Sequence, residues 1–108
     1  MQKQTQKIQR NPDVLWREED DHRQEALAGL DQGEDVAEIG TALLFHNGQM
    51  VSLNILGAEI WKLCDGRTEA EIVNELLNCF EVEQVELSND VAEFLAELAE
   101  KGFIQYGE

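Results

Sequence analysis

From Thr41 onward the apolar positions fall into regular spacings; before it they do not. Thr41 to His46 and Gln49 to Asn54 flank Asn47-Gly48, the pair suited to a two-residue type I′ turn in which both residues take positive φ. A hairpin closed there sets Phe45 opposite Met50, Leu44 opposite Val51, Leu43 opposite Ser52 and Ala42 opposite Leu53. Period-two alternation then places Ala42, Leu44, Val51 and Leu53 on one face, a core face. Leu43, Phe45 and Met50 occupy the other, which is too apolar for a solvated surface and calls for a cover: the first strand, the acidic insert at residues 18–39 or another chain.

Three helices follow. Asn54 is placed to cap the first, where Leu56, Ile60, Leu63 and Cys64 form a stripe, and Gly66 stands where a left-handed cap belongs. Thr68-Glu69-Ala70-Glu71 is a capping box opening the second, with Ile72, Val73, Leu76, Leu77 and Phe80 on one face. The third is predicted to begin after Ser88, since Val91, Phe94, Leu95 and Leu98 repeat the helical spacing, and to end at Gly102, with Phe103-Ile104 folding back. Upstream, Asp13 to Arg17 follow Pro12 and read as one short strand. Residues 1–12, with Lys3, Lys7, Arg10 and no acid, read as a flexible tail.

Charge changes this picture in one region. Residues 18–39 hold nine acids against Arg23, and Gly29 and Gly33 interrupt any helix from Gln24 to Leu30, so the stretch reads as a solvated acidic insert, with docking of a basic partner as the second reading. The whole chain, at 108 residues, is long enough for one small domain and carries 23 acids against 8 bases, a net charge of −15. That balance disfavours nucleic acid and anionic membranes and suits protein or peptide partners. The longest apolar run, Ala42-Leu43-Leu44-Phe45, is far too short to span a bilayer. The first eleven residues lack the apolar stretch of a secretory signal, so a cytoplasmic location with two free thiols is expected.

Catalytic patterns are missing. His22 and His46 are isolated, Cys64 and Cys79 fit helix stripes as small hydrophobes, and no zinc spacing, phosphate loop or nucleophile elbow occurs. No enzyme activity, metal or cofactor is expected. A hairpin leading into three helices suggests a winged helix-turn-helix, but Asp90, Glu93, Glu97 and Glu100 against Lys101 on the third helix repel phosphates, so DNA binding is not expected.

The runs Met50-Val51-Ser52-Leu53-Asn54, Ile60-Trp61-Lys62-Leu63-Cys64-Asp65-Gly66 and Thr68-Glu69-Ala70-Glu71-Ile72-Val73 resemble the PqqD family. Asn11-Pro12-Asp13 and Arg17 look like its opening strand; Asp90-Val91, Phe94-Leu95, Leu98 and Gly102-Phe103-Ile104 look like its third helix and ending. The acidic stretch 18–39 departs from it. The resemblance implies an α+β fold, a winged-helix-like domain of one three-stranded antiparallel sheet packed on a three-helix bundle. Here that is a single domain over residues 13–108. It also implies a non-catalytic peptide chaperone. Such proteins bind the leader of a ribosomally made precursor and present it to a modifying enzyme, often a radical SAM (SPASM-type) protein. Mapped onto this chain, the leader adds as a strand along Gln49, Met50, Val51, Ser52 and Leu53, beside the helix bearing Asp90, Glu93, Phe94 and Glu97. A monomer or weak dimer is expected. The alternatives are the pyrroloquinoline quinone chaperone proper and an acidic winged-helix interaction or regulatory module.

Overall fold

The computed structural model describes residues 6–33, 39–80 and 82–107. In chain order the elements are β1 (Lys7–Arg10), β2 (Leu15–Glu18), α1 (Asp20–Asp31), β3 (Ala42–His46), β4 (Gln49–Leu53), α2 (Ile55–Leu63), β5 (Asp65–Thr68), α3 (Glu69–Cys79), α4 (Gln84–Glu100) and β6 (Ile104–Gly107). They fall into two compact units: Pro12–Glu59, and the N-terminal segment through Asn11 together with the residues from Ile60 onward.

The Pro12–Glu59 unit is built on an antiparallel sheet of order β2-β3-β4. Asn47 and Gly48 take φ of 53° and 76°, the conformation a type I′ turn requires, and the hairpin has the predicted register from Ala42↔Leu53 to His46↔Gln49. β2 adds to the far side of β3, pairing Leu15 with Phe45 and Arg17 with Leu43. Ala42, Leu44 and Leu53 are buried, so the core face is the one expected from alternation. At its end Thr41 ties the strands together: its N–H donates to the Leu53 carbonyl at 2.7 Å, and its own carbonyl accepts from Glu19 N–H at 2.8 Å.

The acidic stretch is a correction. Where a solvated loop was expected, Asp20–Asp31 forms the helix α1. Asp20 and Asp21 occupy its first turn, where carboxylates favour the helix dipole instead of opposing order. Gly29 does not break it, because that residue is buried with Ala26 on the packed side and tertiary contact offsets the roughly 1 kcal/mol cost of a helical glycine. Arg23 binds Glu18 at 3.5 Å and Glu59 at 3.0 Å, pinning the helix within its unit. The rest of the insert, residues 34–38, lies outside the described residues.

In the other unit the tail reading is corrected at Lys7–Arg10, while residues 1–5 of that stretch lie outside the described residues. Lys7–Arg10 is the middle strand of a second antiparallel sheet, ordered β5-β1-β6. Ile8 is fully buried, and Arg10 donates through Nη1 to the Lys62 and Trp61 carbonyls at 2.8 and 3.3 Å, satisfying the end of α2. Asn11 N–H donates to the Phe103 carbonyl at 2.9 Å. The capping box at Thr68 and Glu71 is present in full. α4 begins at Gln84, earlier than expected, because the Glu83 carboxylate accepts from the N–H groups of Val85 and Glu86. It ends in a Schellman motif: Gly102 takes φ 82°, with Phe103 N–H bonded to the Leu98 carbonyl and Gly102 N–H to that of Ala99.

The α+β class therefore stands. One sheet on a three-helix bundle does not describe the described residues, which hold two three-stranded sheets and four helices.

Candidate functional site

A two-residue type I′ turn closes on a hydrogen-bonded pair, here His46 and Gln49. Antiparallel ladders alternate bonded and non-bonded pairs, so Leu44/Val51 and Ala42/Leu53 exchange hydrogen bonds while Phe45/Met50 and Leu43/Ser52 do not. The N–H and C=O groups of Met50 and Ser52 consequently point away from β3. β4 is an outer strand of its sheet, with β3 its one partner among the described residues. Its free edge is a template for a further strand.

The side chains of the strand divide by burial. Gln49, Met50 and Ser52 are exposed, Val51 is half-buried, and Leu53 belongs to the core. Leu53 thus offers an added strand its backbone and not its side chain. On α4, Asp90, Glu93 and Glu97 are exposed and Phe94 is half-buried, while Leu87, Val91, Leu95 and Leu98 face the core. Glu97 receives Lys101 Nζ at 3.3 Å one turn later. The strand residues lie in the Pro12–Glu59 unit and the helix residues in the other. Each set is a candidate surface in its own right.

A third group adjoins β4. Leu15, Phe45 and Met50 are 69, 49 and 69 % exposed. With Trp16, Arg17 and Leu43 they line a shallow concavity of about 340 Å³. Alternation in the hairpin signals Leu43, Phe45 and Met50; Leu15 and Trp16 join only because β2 pairs with β3, which sequence spacing alone does not reveal.

Cys64 is buried, its Sγ–H donates to the Ile60 carbonyl at 3.2 Å, and burial pushes its thiol up to about 12. Among the described residues no group of three or more His, Cys, Asp or Glu side chains is arranged to hold a metal ion. No helix among them is long and apolar enough to cross a membrane.

Two solved structures share the fold. One is TbiB1 in complex with the TbiA(beta) leader peptide, with a TM-score of 0.66 at 22% identity, covering 90% of this chain and 94% of that one. The other is lasso peptide synthetase B1 complexed with the leader peptide, with a TM-score of 0.63 at 20% identity, covering 92% and 98%. No curated protein matches. The family model described as Coenzyme PQQ synthesis protein D (PqqD) matches residues 41–104. That span is more than half of the chain and includes the hairpin, α2, α3 and α4: the chain belongs to the PqqD family.

Proposed function

We propose that this protein is a non-catalytic chaperone that binds the leader of a ribosomally made precursor peptide and presents it to a modifying enzyme of the radical SAM type. The leader adds as a strand along Gln49–Leu53. The observation that carries this reading is the free edge of β4, where the main-chain groups of Met50 and Ser52 point outward. Strand addition gains main-chain hydrogen bonds with little demand on sequence, and flanking side chains then supply selectivity. Both structural neighbours were solved with a leader peptide bound. Asp90, Glu93, Phe94 and Glu97 on α4 form the second contact surface of this proposal. The family description favours a second reading, in which the precursor is that of pyrroloquinoline quinone.

Chemical-shift mapping tests it, using synthetic leaders from each short open reading frame beside the gene and from a pyrroloquinoline quinone precursor. The expected result is perturbation of Gln49–Leu53 and of Asp90–Lys101 by one of them. Ser52→Pro removes an outward donor and should abolish binding while the far-UV helical signal persists. Shifts confined to α1 or α2 would refute the site, and binding unchanged in Ser52→Pro would refute strand addition.

A further inference from the structure

We infer that the peptide received along β4 is a cationic strand whose apolar side chains, at alternate positions, extend the exposed apolar face of Leu15, Phe45 and Met50. The inference rests on strand addition at β4 and concerns what the added strand must look like. An added strand continues the pleat, so every second side chain stands on the same face as its neighbour in β4. Met50 and Ser52 share that face with Phe45, Leu43, Leu15 and Arg17 across the sheet. The first position beyond Met50 is thus the rim of the apolar concavity. An apolar side chain there lies next to Met50, at the ~5 Å spacing of cross-strand pairs, and covers surface that is now open to solvent.

Charge selects the sign of the remaining positions. Residues 12–59 contain eleven acids and two bases, Arg17 and Arg23. Both bases are already engaged by carboxylates, Arg17 with Glu19 at 3.0 Å and Arg23 with Glu18 and Glu59. The unit is left with uncompensated negative charge, which opposes a second copy of this chain on the face and attracts a Lys- or Arg-bearing strand.

The test titrates the full chain with three fluorescent peptides of about twelve residues: alternating Lys-Val, alternating Lys-Ser and alternating Glu-Val. The Lys-Val peptide is expected to bind about tenfold more tightly than either other. The double variant Phe45→Ser, Met50→Ser is expected to remove that advantage over Lys-Ser, since two exposed apolar side chains are lost from the contact. Equal binding of Lys-Val and Lys-Ser, or Lys-Val binding unchanged in the double variant, would overturn the inference. If binding is then still lost in Ser52→Pro, strand addition itself stands. Equal or tighter binding of Glu-Val would overturn the assignment of charge. Lys-Val binding that leaves the amides of Met50 to Ser52 unperturbed would count against strand addition, and the inference would fall with it. The protection of Met50 from peroxide oxidation by bound Lys-Val gives a readout on the unmodified protein.

Discussion

Cys64 follows the last residue of α2 and Cys79 is the last residue of α3, and they differ in one respect that matters: the first is buried and the second is exposed. Burial raises the Cys64 thiol from 9.0 to about 12, with Arg10 opposing the shift in part. At pH 8 a thiol reagent should therefore label one cysteine per folded chain, Cys79, and both in denaturant. Mass spectrometry of the labelled peptides checks this; rapid labelling of Cys64 in the native protein would contradict its placement. The sign of the pH effect follows from the direction of the shift. The folded thiol holds its proton more tightly than the unfolded one, so its contribution is complete below the unfolded value near 9. It is lost as pH rises from there toward 12. Glu71 acts oppositely: hydrogen bonds from Thr68 lower its carboxyl, so its contribution is lost as the solution is acidified. Thr68→Ala removes the hydroxyl that accepts from Glu71 N–H and should cost about 1 kcal/mol in a denaturant titration. This box was legible in the sequence because capping depends on residues three apart and on nothing distant.

What depends on distant partners was not legible. β1 reads Lys-Ile-Gln-Arg, one apolar residue among polar ones, and no local pattern marks it as a strand. It is ordered because β5 and β6 supply a ladder on each side and the Ile8 side chain is fully buried. Sequence spacing carries no information about partners more than fifty residues away. α1 was missed for a related reason: its acids and glycines look hostile to a helix until the dipole and the buried Ala26 and Gly29 are seen together. The hairpin was read correctly, register included, since Asn47-Gly48 and the alternation around it are local. For the site, the edge strand was thus in view, while the apolar concavity needed the β2–β3 pairing to complete it. β1 yields a prediction of its own. Ile8→Asp buries an unpaired carboxylate in the middle of the sheet and should destabilise the unit that contains it by about 3–5 kcal/mol. Because Arg10 N–H bonds the Cys64 carbonyl, loosening β1 should also speed labelling of Cys64. Wild-type stability and wild-type labelling rates in this variant would show that β1 is dispensable.

Across the whole molecule, 23 acids against 8 bases create a field that acts on folding and on binding with opposite signs. Within the compact state the like charges lie closer together than in the unfolded chain, so their repulsion opposes folding. Sodium chloride screens it, shortening the Debye length from about 30 Å at 0.01 M to about 8 Å at physiological strength. The melting temperature should therefore rise by a few degrees as salt increases over that range. The ion pairs at Arg17, Arg23 and Lys101 are partly or largely exposed, and pairs of this kind contribute about 0–1 kcal/mol each, too little to reverse the trend when salt weakens them. Binding of a cationic strand responds the other way, because the same screening weakens the attraction that draws it to the acidic Pro12–Glu59 unit. Its Kd should increase about tenfold across the range, chiefly through a slower association rate. Thermal melts and anisotropy titrations of one protein preparation at matched salt concentrations test both arms. A melting temperature that falls with salt would mean that attractive pairs outweigh the net repulsion. A Kd that does not change would mean that a bound strand is held by main-chain and apolar contacts alone, with the acidic surface playing no part in its selection.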